Sequence, residues 1–105
     1  MPKRQSKYRN IPTVVDGIKF DSKKEARRYG ELLLLKKDNA IKNLILQPPF
    51  VLKVDGQKIC SYIGDFQYEY NGRVIVEDCK GYRTRDYVIK KKLMKAIFGI
   101  EIRES

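Results

Sequence analysis

Three residues in the middle of the chain could do chemistry together: Asp65, Asp78 and Lys80. They lie in the stretch from Ser61 to Gly81, where two runs rich in β-branched and aromatic residues flank Asn71-Gly72. That dipeptide is the strongest short-range signal for a two-residue hairpin turn. With Tyr70 opposite Arg73, Asp65 falls directly across from Asp78. Opposed side chains share a face, with Cβ atoms about 4.5–5.5 Å apart. Two carboxylates at that separation repel each other, and a bound cation would remove the repulsion. Lys80, two residues past Asp78, points to the same face. Carboxylate oxygens suit Mg²⁺ or Mn²⁺. Such an ion lowers the pKa of a bound water and neutralises charge on a phosphate under attack. Lys80 could orient the water or stabilise the developing charge. The reaction this set suits is phosphodiester hydrolysis. The competing reading is an ion-pair ladder on an exposed strand, since D-x-K often arises by chance. Against it stands Val74-Ile75-Val76, which leads into Asp78 and marks a central strand. Buried strands seldom carry unpaired charge without a reason.

Composition narrows the chemistry. The 105 residues suffice for one domain with a single modest core. Lys and Arg number 23 against 13 acids, a formal charge of +10, which suits a polyanion such as nucleic acid. Histidine is absent, so imidazole acid–base pairs and His metal sites are excluded. The two cysteines, Cys60 and Cys79, match no zinc spacing and read as free thiols in a cytoplasmic protein. No apolar run approaches the ~18 residues of a membrane span, and no apolar core follows the basic N-terminus to make a secretory signal.

The elements that must position the acids follow in order. Residues 1–10 carry four basic residues and read as a mobile arm, able to contact phosphates, with Tyr8 free to stack on a base. Thr13 to Phe20 reads as a small hairpin around Asp16-Gly17. A first helix spans residues 22–38. Ser22 and Glu25 form a capping-box pattern, and Ala26, Tyr29, Leu32, Leu33 and Lys36 mark a stripe. Leu32-Leu33-Leu34-Leu35 suggests burial over a broad arc. Leu44 to Val54 reads as a first strand interrupted by Pro48-Pro49, Lys58 to Tyr70 as a second, and Arg73 to Lys80 as a third, in an antiparallel meander. A second helix covers residues 84–98, with Ile89, Leu93 and Ile97 in a stripe and Gly99 as its stop. Ile100 to Arg103 alternates as a last short strand. The order is helix, three strands, helix, strand.

Two basic clusters border this core. Lys23, Lys24, Arg27 and Arg28 crowd the start of the first helix, where the dipole already favours anions. Lys90, Lys91, Lys92 and Lys95 form the polar side of the second helix. The first reads equally as a solvated face or as a surface for nucleic-acid phosphates.

Gly64-Asp65-Phe66 followed by Val74-Ile75-Val76-Glu77-Asp78-Cys79-Lys80-Gly81 resembles the PD-(D/E)XK nuclease superfamily. Asp65 matches its first acid and Asp78-Cys79-Lys80 its (D/E)-x-K. The element order resembles that superfamily's αβββαβ core. The resemblance extends from about Val14 to Ile102 and is closest to small phage-encoded members, whose opening is similar to residues 14–26. It implies an α/β (α+β) restriction-endonuclease-like domain over residues 11–105, with a mixed central sheet and a helix on each side. It further implies a Mg²⁺-dependent (or Mn²⁺-dependent) endonuclease. Its catalytic set would be Asp65, Asp78, Lys80 and Glu25, and its metal ligands Asp65, Asp78, Glu25 and the main-chain carbonyl of Cys79. Glu25 has a competing role as the capping-box partner of Ser22. The implied DNA contacts are Lys23, Lys24, Arg27, Arg28, Arg83, Arg85, Tyr87, Lys90 and Lys91. Gly64 stands where the motif has proline. Glu77 alternates to the face opposite Asp78 and takes no catalytic role.

The function expected is cleavage of DNA, branched or duplex, by a homodimer in the host cytoplasm. A Holliday-junction resolvase in phage recombination or processing is one form of it. Recognition of DNA shape would need only phosphate contacts. The alternative is a DNA-binding or assembly protein that keeps the fold without chemistry.

Overall fold

The computed structural model describes residues 12–79 and 83–105. The basic arm at residues 1–10 and Lys80 lie outside these. Eight strands and two helices are described: β1 (Thr13–Val15), β2 (Ile18–Phe20), α1 (Lys23–Lys37), β3 (Lys42–Leu46), β4 (Pro49–Val54), β5 (Gln57–Ile63), β6 (Phe66–Tyr70), β7 (Arg73–Asp78), α2 (Arg85–Phe98) and β8 (Arg103–Glu104).

Asn71 and Gly72 both take positive φ, 51° and 75°, and close the β6–β7 hairpin. Tyr70 pairs with Arg73 and Phe66 with Glu77, the register expected from the turn. Asp16-Gly17 closes the β1–β2 hairpin in the same way, with φ of 53° and 76°.

A four-stranded sheet in the order β3-β6-β7-β8 forms the centre. Its first three strands are antiparallel, and β8 joins β7 in parallel, so the sheet is mixed. Adjacent residues of a strand point to opposite faces. Phe66, Tyr68 and Ile75 accordingly join Ala26, Tyr29 and Leu32 of α1 in one cluster. Val76 joins Tyr87 and Met94 of α2 in the other. The two helices therefore cover opposite faces of the sheet, in an α+β arrangement. Phe66, Leu32, Val76 and Met94 are wholly buried, and each such side chain contributes roughly 1.5–3 kcal/mol on leaving water.

Two expected strands prove to be four. The run through Pro48-Pro49 breaks into β3 and β4, and the run from Lys58 to Tyr70 breaks at Gly64-Asp65 into β5 and β6. β4 and β5 pair only with each other, as a hairpin inserted between β3 and β6. Without that insertion the order is helix, three strands, helix, strand, as expected. The breaks have a local cause. Proline at 48 supplies no amide to a ladder, and Gly64 donates its own N–H to the Pro48 carbonyl at 3.0 Å.

The helices also depart from their expected stripes. Leu34 and Leu35 of α1 are exposed, so burial does not wrap the helix. On α2, Ile89 is exposed, while Tyr87 and Met94 are buried. The last strand is shorter than expected and begins at Arg103.

Candidate active site

The acids gather where β6 begins and β7 ends, beside the N-terminus of α1. Ser22 caps that helix, its Oγ accepting the amide hydrogen of Glu25 at 3.1 Å. Such a cap is worth about 1 kcal/mol. It also fixes Glu25 on the first turn, where the residue is only 5% exposed. The capping-box role and the site role are thus compatible: the amide of Glu25 serves the cap, and its buried carboxyl lies within the electrostatic reach of Asp65. Burial pushes that carboxyl up from 4.5 to about 7, with Asp65 and then Asp21 adding to the rise and Asp78 contributing least. An amide of the Asp21 backbone works weakly against it.

Asp65 and Asp78 are each held. Asp65 immediately precedes β6. Its own amide donates to the Glu77 carbonyl at 3.0 Å, and its Oδ2 accepts the Cys79 amide hydrogen at 2.6 Å. Asp78 ends β7 and is 3% exposed. The Tyr62 hydroxyl, on β5, donates to its Oδ2 at 2.5 Å. Burial first, and then Asp78, hold the Tyr62 phenol far above its ordinary range, so it stays a donor. The inserted hairpin thus orients one acid of the site.

Gly64 fits its position closely. A Cβ there would meet Val76 Cγ1 at 3.0 Å and Pro48 Cγ at 3.5 Å. A proline at 64 would also forfeit the amide donated to Pro48.

Glu77 points to the other face, as expected, yet it is far from idle. It is wholly buried and receives two hydrogen bonds from Arg28, Nε at 2.8 Å and Nη2 at 2.7 Å. The Tyr68 hydroxyl donates to it as well. Burial alone would raise its carboxyl, but Arg28 and Tyr68 outweigh this and lower it. Arg28 also pairs with Glu31 at 2.8 Å. Its guanidinium is therefore committed to the fold, which corrects its placement among the phosphate-facing residues. The charge pattern of α1 could not reveal this, because the partner lies 49 residues away.

Tyr87 is likewise corrected. It is 4% exposed, and its hydroxyl donates to Glu104 at 2.8 Å. Lys91 reaches the same carboxylate at 3.0 Å, and Arg83 pairs with it too. Arg83, ahead of Tyr87 and Lys91, holds the Glu104 carboxyl down at about 2. Lys23, Lys24, Arg27 and Arg85 are exposed and Lys90 is half-buried. Cys79 and Cys60 are free thiols. Burial raises the Cys79 thiol to about 11, so the side chain is inert near neutral pH.

For a divalent cation the donor types fit. Glu25, Asp65 and Asp78 offer oxygens alone, and after burial the strongest influence on Glu25 is another carboxylate, which a cation would reverse. Among the described residues, no three acids or thiols stand together as a ready-made cage. One oxygen of Asp65 accepts from the Cys79 amide and one of Asp78 from the Tyr62 hydroxyl. Among the described residues no helix is long and apolar enough to cross a membrane.

Residues 5–103 match the family described as Protein of unknown function (DUF1064), and the chain belongs to it. No curated protein and no solved structure matches the chain.

Proposed function

We propose that this family member is a metal-dependent endodeoxyribonuclease whose acids are Glu25, Asp65 and Asp78. One observation carries the reading. Glu25 at the start of α1 and Asp78 at the end of β7 are both buried acids, and the carboxylate of Asp65 is tied to the amide of Cys79 next to Asp78, in a chain of charge +10. Carboxylates clustered without a purpose destabilise a fold.

Bound at these oxygens, Mg²⁺ or Mn²⁺ would supply an acidified water and a counter-charge for the phosphate. The chain's own residues do the rest. Tyr62 fixes the rotamer of Asp78, and the Cys79 amide fixes Asp65. Glu25, buried on the first turn of α1, offers a third carboxylate to the ion. Lys80 orients the attacking water or stabilises charge on the phosphate. Lys23, Lys24, Arg27, Arg85 and Lys90 offer cations to the DNA backbone. Contacts of that kind read shape more than sequence, which suits branched DNA such as a four-way junction, cut on two strands by a homodimer.

A second reading, a DNA-binding or assembly protein without chemistry, draws on the hydrogen bonds that already satisfy one oxygen of Asp65 and one of Asp78. Calorimetric titration with Mg²⁺ and Mn²⁺ separates the two. Saturable binding that Asp78→Asn abolishes supports the nuclease. Tight DNA binding with no metal binding favours the second reading.

A further inference from the structure

On the α1 face of the sheet a cleft of about 230 Å³ opens between α1 and β8. Lys24, Arg27 and Arg28 line it from the helix and Arg103 from the strand, while Cys79 and Ser105 lie opposite the helix. Two acids share the lining, and both are already neutralised within the protein. Glu31 pairs with Arg28. Glu104 is held by Arg83, Tyr87 and Lys91. Among the described residues, neither Arg27 nor Arg103 has an ion-pair partner. The cleft is therefore a concave surface whose unspent charge is positive. Its wall carries hydrogen-bonding groups too, with Cys79 Sγ and Ser105 Oγ in contact at 3.3 Å.

The cleft adjoins the acids without being part of them. Cys79 belongs to both: its side chain lines the cleft, and its amide donates to Asp65. Lys24 lines the cleft, and its chain neighbour Glu25 is buried.

We propose that this cleft is an anion subsite that takes a phosphate of a nucleic-acid backbone, with Arg27 and Arg103 as its principal ligands. The proposal rests on the nuclease reading for the identity of the polymer, though the anion chemistry stands on the cleft itself. Guanidinium groups grip phosphate oxygens in pairs. Arg27 from a helix and Arg103 from a strand approach such a group from two sides.

The test uses the metal-free full chain in EDTA, so that no DNA is cut. Inorganic phosphate is titrated while amide resonances are followed by NMR, and binding of a duplex oligonucleotide is measured across a range of salt. Phosphate is expected to shift the Cys79, Arg103 and Ser105 amides saturably. Arg27→Ala/Arg103→Ala, two exposed substitutions, is expected to weaken phosphate about tenfold or more. It should also flatten the salt dependence of oligonucleotide binding by about one to two in log–log slope. Lys58→Ala, at an exposed position of β5, should change neither. Phosphate that leaves the cleft amides unmoved, or a double variant that binds phosphate as wild type does, overturns the proposal. So does a chain that cleaves DNA while its cleft variant keeps the wild-type salt slope, which leaves the nuclease reading intact. Saturable phosphate binding in a chain that cuts no DNA upholds the anion site and removes the nuclease.

Discussion

The carboxylate of Asp65 accepts the amide hydrogen of Cys79 at 2.6 Å, tying the start of β6 to the residue that follows Asp78. Residues 14 apart in sequence are held by one bond, and that bond depends on the hairpin register. The register in turn is set by Asn71-Gly72, whose two positive φ values match the twist of the strands they join. A one-residue slip sends every side chain of a strand to the other face.

Inserting one residue after Gly72 should therefore abolish DNA cleavage with all three acids untouched. Nicking of a plasmid substrate measures it, with circular dichroism to establish that the variant folds. Full activity in a folded variant would show that the register does not align the acids.

Arg28 and Glu77 form a buried, doubly hydrogen-bonded ion pair that joins α1 to β7. Removing one partner strands the other charge, so Arg28→Ala should cost about 3–5 kcal/mol. Replacing both with apolar residues, Arg28→Met with Glu77→Leu, should recover most of that loss. Urea denaturation of the two variants provides the comparison.

Glu25 gives a pH signature. Its carboxyl rises from 4.5 to about 7 on folding. Between those values the folded chain holds a proton that the unfolded chain has released, so stability falls as pH rises through the window. Glu25→Gln should flatten that slope and, without metal at pH 8, stabilise the chain by up to about 3 kcal/mol. Added Mg²⁺ should raise the melting temperature of wild type more than that of Glu25→Gln. Thermal melts from pH 4 to 8 test both statements.

Tyr62→Phe removes the hydroxyl that donates to Asp78, an acid only 3% exposed. Leaving that oxygen short of a donor should cost about 1–3 kcal/mol, measurable by denaturant titration. Cleavage should fall as well, because the rotamer of Asp78 is then less fixed.

Much of this arrangement was legible in the sequence because its signals are local. Asn71-Gly72 announces its turn and therefore its register, Ser22 and Thr84 announce the starts of the helices, and Gly99 announces a stop through its positive φ. What escaped are relations set by tertiary contact. A strand that changes sheet keeps its β-rich character, so Lys58 to Tyr70 reads as one strand although Gly64-Asp65 divides it. The bonds from Arg28 to Glu77, Tyr62 to Asp78 and Tyr87 to Glu104 span 16 to 49 residues along the chain, beyond any helical or strand period. For the same reason Arg28 looked like a phosphate ligand, and Tyr62 did not look like part of the site at all.

The most direct measurement is cleavage of linear, flapped and four-way-junction DNA with Mg²⁺, comparing wild type with Asp78→Asn and Lys80→Ala. A group that acts in the chemical step contributes at least about a hundredfold. Wild type should cut at least one substrate, each variant should lose about that factor or more, and EDTA should stop the reaction. Absence of cleavage on every substrate, or undiminished cutting by both variants, would contradict a nuclease built on these acids.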